Sequence, residues 1–196
     1  TIPERGSMKI GIYGGLFDPV HNGHVSVVRY VAEHFRLEEI FIVPVGVPSH
    51  RAAGGASAED RLRMCRLTFE NMAGIQVSDM EVRDKNPAYT WDTLCNFQRI
   101  YGTEHQWFEI IGEDSLAYFD QWKNYREILE RCKLIVLRRE GYHGTLRHKN
   151  IILTDSPSFP FSSTQIRALV REGREIRGMV PGAVLRYIEE KELYRD

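Results

Sequence analysis

"KIGIYGGLFDPVHNGHVSVVRYVAEHF", Lys9 to Phe35, decides how the rest of the chain is read. Lys9 to Tyr13 is a short apolar run suited to a buried strand, and Gly23 to Phe35 places Val27, Val28 and Val31 on one face at helical spacing. The segment between, "GGLFDPVHNGH" (Gly14 to His24), therefore lies on a strand-to-helix turn. Gly14 and Gly15 are expected to form the tight turn and to let backbone approach a ligand closely. The helix start that follows directs its unpaired N–H groups and the positive end of its dipole at the same spot, which suits phosphate. His21 and His24, three residues apart, can share a face and donate N–H bonds to phosphate oxygens. Asp18 and Pro19 shape the turn between them. Taken alone, the fragment also reads as an ordinary turn followed by surface histidines. Zinc has little support, since no cysteine, third histidine or His-Glu-x-x-His pattern stands nearby. The stretch matches neither Gly-x-x-x-x-Gly-Lys-Ser/Thr nor Gly-x-Gly-x-x-Gly, which weakens the P-loop and dinucleotide-oxidoreductase classes.

Outward from this turn, short runs rich in β-branched or aromatic residues alternate with stretches of helical period. That alternation predicts an α/β fold, an open doubly wound parallel sheet, with a small helical C-terminal part. "EIFIVP", "IQV", "HQWFEII", "CKLIVL" and "IIL" (Ile151 to Leu153) are the further strands. Helices are expected over Ala58 to Met72, over Thr90 to Tyr101 with a threonine cap, over Ser163 to Glu172 ended by Gly173, and from Pro181 to about Glu190. "VGVPSHRAAGGASAED" and "EVRDKNPAYT" read as long loops at the carboxyl ends of strands, the rim where such sheets bind ligands.

At 196 residues the chain suits one domain. Residues 1–7 read as an expression-tag remnant, and 8–196 as a single domain whose helical C-terminal part is 163–196. A net charge of -1 gives no bulk attraction to nucleic acid or anionic membrane, so an anion site must be local. Three widely spaced cysteines, Cys65, Cys95 and Cys132, suggest neither a disulfide framework nor a zinc knuckle and point to a reducing, cytoplasmic setting. No apolar run approaches a membrane span or a signal core.

A second candidate cradle is "FSSTQIR", Phe161 to Arg167. Ser162 and Gln165 form a capping-box pattern, a purely structural role when read alone. The same helix start would bind polyphosphate through free N–H groups, the hydroxyls of Ser163 and Thr164, and Arg167 one turn in. "GGLFDPVHNGH" resembles the signature of the His-x-Gly-His nucleotidyltransferase superfamily, and "SSTQIR" its Ser-Ser-Thr-x-Ile-Arg segment. "AYTWDTL", "IIGEDSLAYFDQW", "LIVLRREGY" and "VPGAVLRYIEEKELY" are similar to segments of one family within it, the bacterial nicotinate-nucleotide adenylyltransferases.

That resemblance implies a Rossmann-like nucleotidyltransferase fold and transfer of AMP from ATP to nicotinate mononucleotide, giving deamido-NAD and pyrophosphate. It implies His21, His24 and Arg167 as catalytic residues. ATP would be held by Gly14, Gly15, Phe17, His21, His24, Arg51, Gly112, Asp114, Ser163, Thr164, Ile166 and Arg167. Nicotinate mononucleotide would meet Tyr89, Thr90, Trp122 and Arg139. Trp122 offers a π-face for the pyridine ring, or packs in the core; Asp114 accepts ribose hydroxyls, or caps a helix; Arg139 holds a phosphate, or is a solvated charge. Mg²⁺ is the expected cofactor, held by phosphates and water rather than by protein ligands. The expected partners are these two small molecules, with neither nucleic acid nor membrane, and a homo-oligomer is left open. Departures from the family pattern are Ser49 and Arg51 in a loop that usually reads Pro-Pro-His-Lys, Ala88 for Ser, Lys123 after Trp122 where an aromatic is common, and Glu140 for Pro. Competing readings are nicotinamide-mononucleotide or phosphopantetheine adenylyltransferase, and a nucleotide sensor without turnover.

Overall fold

The computed structural model describes residues 6–47, 54–139 and 145–196. In chain order the elements are β1 (Lys9–Gly15), α1 (Asn22–His34), β2 (Glu39–Pro44), α2 (Ala58–Phe69), β3 (Ile75–Val77), α3 (Met80–Arg83) and α4 (Thr90–Tyr101). The second half continues with β4 (Gln106–Gly112), α5 (Glu113–Leu116), α6 (Tyr125–Arg131), β5 (Lys133–Arg138), β6 (Ile151–Asp155), α7 (Ser163–Arg171) and α8 (Gly182–Glu190).

The strands form one sheet in the order β3-β2-β1-β4-β5-β6, and every pairing is parallel. The chain winds outward from β1 to β3, then returns to the other side of β1 with β4. Order reverses between β1 and β4, so a crevice opens beyond their carboxyl ends. Both faces of the sheet are buried. Ile40, Ile42, Phe108, Ile110 and Ile135 face a layer holding α1, α2, α7 and α8. Ile10, Ile12, Phe41, Val43, Trp107 and Leu134 face the layer of α4 and α6. Continuous β-branched runs are what a parallel sheet covered on both sides requires.

Five expectations need correction. Gly14 and Gly15 are not the turn: they remain in β1, opposite Val43 and Pro44 of β2, and the chain turns only after them. The expected connection over 81–90 carries the short helix α3 at its start, and α2 ends at Phe69, short of Met72. The stretch after β4 contains α5, a 3₁₀ turn at Phe119–Gln121 and α6, none of them assigned from periodicity. These pieces are three to seven residues long, too short to show a helical repeat. The expected threonine cap of α4 is also absent. Tyr89 holds the cap position with no side-chain hydrogen bond, because Thr90 is already the first helical residue.

One buried carboxyl group lies in mid-sheet. Glu109, opposite Ile12 in mid-sheet, is 4% exposed, and its Oε1 has no hydrogen-bond partner among the described residues. Burial, reinforced by the nearby Glu81 carboxyl group, holds its carboxyl well above the usual range. An unfolded chain ionises this group near its ordinary value while the fold keeps the proton, so stability falls as pH rises above that value. Glu109→Gln is expected to raise the melting temperature by a few degrees at pH 8, on a scale of roughly 2–4 °C per kcal/mol for a chain this size. Calorimetry at pH 5 and pH 8 checks this: the gain shrinks toward pH 5, and an equal or larger gain there contradicts it.

Candidate active site

The turn after β1 is shaped from inside by its rings and from outside by distant elements. Phe17 adopts a left-handed backbone at φ 51°, and its ring lies edge-on to Tyr13 and His24 at 5.5 and 5.0 Å. A Cβ on Gly15 would come within 3.2 Å of that ring, so the second glycine makes room for it. Carbonyl groups of the turn point at donors from elsewhere. Buried Arg61 of α2 donates to Leu16 O at 3.0 Å and to Val45 O at 2.6 Å. Arg167 of α7 donates to Asp18 O at 2.8 Å, and Ser163 Oγ to Pro19 O at 2.9 Å. The buried Asp18 side chain accepts from Tyr194 OH at 2.6 Å and from Ala56 N–H at 3.1 Å.

At the start of α1 the two histidines cap each other's backbone. His21 is the N-cap, and its Nδ1 accepts from Gly23 N–H at 2.9 Å; His24 Nδ1 accepts in return from His21 N–H at 3.0 Å. This is a capping box in which imidazoles replace the usual hydroxyl and carboxylate. A Cβ on Gly23 would sit 2.5 Å from Phe159 and 2.6 Å from the His21 ring, so only glycine fits between the pair. The ring centroids are 3.7 Å apart. An Nδ1 that accepts leaves the ring proton on Nε2, so each neutral imidazole retains one N–H donor. Burial lowers His21 to about 4, and burial together with His21 holds His24 well below its ordinary value. Both rings are therefore neutral at pH 7.

These rings line a cleft of about 260 Å³ at the sheet's reversal point. Tyr13, His21, Gly23 and His24 form one wall, and Gly112, Asp114, Arg138 and Arg139 arrive from the ends of β4 and β5. Phe159, Phe161, Ser162 and Ser163 close it from the segment leading into α7. Burial pushes the Tyr13 phenol far up, so it stays protonated. Arg139 Nη1 lies 3.8 Å from Asp114 Oδ2, and its N–H donates to the buried Glu113 carboxylate at 3.0 Å. Ser162 and Gln165 make the expected reciprocal cap, at 3.2 and 2.8 Å. The cap takes the Gln165 N–H and leaves those of Ser163 and Thr164 at the helix start.

The expected site residues fall into groups. His21, His24, Gly112, Asp114 and Ser163 share the cleft, and so does Arg139, which was expected with the mononucleotide residues. Arg167 does not line it; its guanidinium rests on the turn's Asp18 carbonyl and on Thr164 Oγ1 at 3.5 Å. Gly14 is at a strand end, while Phe17 and Ile166 are core residues. Arg51, with Ser49, and Glu140 lie outside the described residues. Asp114 does not cap α5, since Gly112 holds that position.

Tyr89, Thr90 and Trp122 form a second group. Trp122 packs its ring 5.1 Å from Phe119, and the adjacent Lys123 places Nζ 5.2 Å from the Tyr89 ring centroid. Arg61, Tyr194 and Glu113 were missed altogether. Arg61 left one signal, a charged residue at helical spacing from the apolar Met64 and Cys65. A larger cleft, of about 540 Å³, lies between α7 and α8, but it contains none of the candidate site residues, and its Arg174, Arg177 and Arg195 face Glu172, Glu175 and Glu192. Among the described residues no group of three or more His, Cys, Asp or Glu could hold a metal ion.

A family model described as cytidylyltransferase-like matches residues 12–169. A Fusobacterium nucleatum protein carrying the name "probable nicotinate-nucleotide adenylyltransferase" is 41% identical over 94% of this chain and 98% of its own length. A Thermotoga maritima protein of the same name is 38% identical over 92% and 91%. Among solved structures, the Plasmodium falciparum nicotinic acid mononucleotide adenylyltransferase complexed with NaAD superposes with a TM-score of 0.79, covering 95% of this chain and 97% of that one at 18% identity.

The Asp18–Tyr194 bond ties the histidine turn to the far end of the chain, and it is buried. Tyr194→Phe leaves Asp18 short of one donor and is expected to cost about 1–3 kcal/mol of unfolding free energy. Urea denaturation measures it; a midpoint equal to the parent's contradicts the role.

Proposed function

The chain belongs to the cytidylyltransferase-like family and, within it, to the nicotinate-nucleotide adenylyltransferases, and from that footing we infer how its residues move AMP between two phosphorylated substrates. The reaction joins ATP and nicotinate mononucleotide into deamido-NAD and releases pyrophosphate, a step of NAD biosynthesis. The observation that carries the residue assignment is the pair of neutral Nε2–H donors facing the same cleft as the start of α7.

A phosphate oxygen of the mononucleotide attacks the α-phosphorus of ATP in line, the bond from that phosphorus to the bridging oxygen breaks, and pyrophosphate carries the electron pair away. No residue need act as covalent nucleophile. Catalysis is then positioning, plus stabilisation of charge where it accumulates. His21 and His24 donate from Nε2 to the α and β phosphates, and they do so best as charge builds on the bridging oxygen. The N–H groups of Ser163 and Thr164 and the Thr164 hydroxyl receive the outer phosphates at the positive end of α7, while the Ser163 hydroxyl stays on the Pro19 carbonyl. Arg167 adds fixed positive charge beside them and braces the turn that presents the histidines. Asp114 accepts ribose hydroxyls beyond β4. Arg139, paired with Asp114, sits where the second phosphate would cross the cleft.

The donor set fits a metal that arrives on the substrate. Apart from Asp114, the cleft presents imidazole N–H, hydroxyl and guanidinium groups, which bind phosphate rather than cations. Mg²⁺ bound by the phosphates and water would offset part of the triphosphate charge.

At the other end, the pyridine ring stacks on Trp122 with its carboxylate at the start of α4. That start lacks a side-chain cap, so its first N–H groups favour an anion over a neutral amide. Among the described residues no helix is long and apolar enough to cross a membrane.

Pyrophosphate release with ATP and Mg²⁺ against nicotinate mononucleotide, nicotinamide mononucleotide and phosphopantetheine tests the substrate assignment. The highest kcat/KM is expected with nicotinate mononucleotide; ATP binding without release would instead mark a sensor. His24→Ala removes the acceptor of the His21 N–H, costing about 1 kcal/mol of stability without unfolding the chain, and is expected to lose about 10²-fold or more in kcat, the size of one lost transition-state donor. With the parent enzyme, kcat/KM for ATP should be level from pH 6 to 8, because both imidazoles have already lost their second proton. A fall with a midpoint near 6.5 contradicts the neutral pair.

A further inference from the structure

We propose that Lys123 sets the preference for the acid form of the mononucleotide by neutralising Asp92 at the start of α4. This rests on the placement of the pyridine ring among Tyr89, Thr90 and Trp122. Asp92 is the third residue of α4, so its carboxylate shares the first helical turn with the N–H groups assigned to the ligand's carboxylate. Two negative groups on one helix start compete for the same dipole and repel each other. Lys123 answers that charge. Its Nζ lies 2.9 Å from both Asp92 oxygens, and it stands over the Tyr89 ring at 5.2 Å.

The pair is formed by two chain segments that bring the substrate residues with them. Lys123 follows Trp122, whose N–H donates to Phe119 O at 3.0 Å, while Asp92 follows Tyr89 and Thr90 by one turn. Both side chains are 44% exposed. An ion pair that open to water contributes little to folding, so its effect is felt by a charged ligand beside it rather than by the fold. The amide form has no carboxylate to repel, so only the acid form is sensitive to the lysine. Removing the cation leaves Asp92 facing the ligand unanswered. Removing both charges restores the bare helix start.

Steady-state kinetics of Lys123→Met, of Lys123→Met combined with Asp92→Asn, and of Trp122→Ala, each with both mononucleotides at 0.1 M salt, test this. Lys123→Met is expected to raise KM for nicotinate mononucleotide about tenfold with kcat little changed, and to leave KM for the amide within about twofold. The double variant should return KM for the acid to near the parent value. Equal shifts for both mononucleotides, no shift for the acid, or no recovery in the double variant would overturn the proposal. Trp122→Ala separates the two failures. If it raises KM for both substrates while Lys123→Met moves neither, the ring placement stands and the lysine's role falls; if it moves neither, both fall together.

Discussion

Two hydrogen bonds from backbone to histidine rings, Gly23 N–H to His21 Nδ1 and His21 N–H to His24 Nδ1, build the start of α1 and set the donors that the proposed reaction needs. A helix N-terminus must find acceptors for its first N–H groups, and here the acceptors are the residues proposed to meet phosphate. The structural bond fixes the tautomer, and the tautomer supplies the donor that the proposed reaction uses. Burial then keeps the second proton away, so the donors are ready without titration near neutral pH. The requirement for glycine at position 23 follows directly, since a side chain there would run into the His21 ring and Phe159.

The remainder of the fold keeps that start in place. A turn with a left-handed phenylalanine would gain little from its own contacts, and its carbonyls are instead held by Arg61, Ser163 and Arg167. These donors come from α2 and α7, which pack on the same side of the sheet as α1. The proposed polyphosphate cradle at α7 and the histidine pair are therefore braced against each other through the turn. Arg167 joins the two: it is one hydrogen bond from the turn and one from the Thr164 hydroxyl at the start of α7.

What could be read in advance depended on whether a residue's role is local. The six strands were legible because a parallel sheet buried on both faces needs continuous apolar runs, and "EIFIVP" and "CKLIVL" have no other plausible use. Ser162 with Gln165 was legible because a capping box spans only four residues. The helices between β4 and β5 were not, being shorter than two turns and held by packing of Phe119, Ile128 and Leu129. Arg61 and Tyr194 lay further out of reach, because their partners, the carbonyl of Leu16 and the carboxylate of Asp18, are dozens to well over a hundred residues away. Gly14 and Gly15 misled for a different reason: glycine permits a turn without requiring one, and here a strand uses them.

The central claim is that both imidazoles are neutral Nε2–H donors aimed at one triphosphate. Nitrogen-15 NMR of the histidine rings at pH 7, with and without a non-hydrolysable ATP analogue and Mg²⁺, reads it directly. The account predicts Nε2–H tautomers for His21 and His24 in the free protein, with both Nε2 resonances moving as the analogue saturates. Protonated rings, Nδ1–H tautomers or resonances that stay fixed at saturation would contradict it.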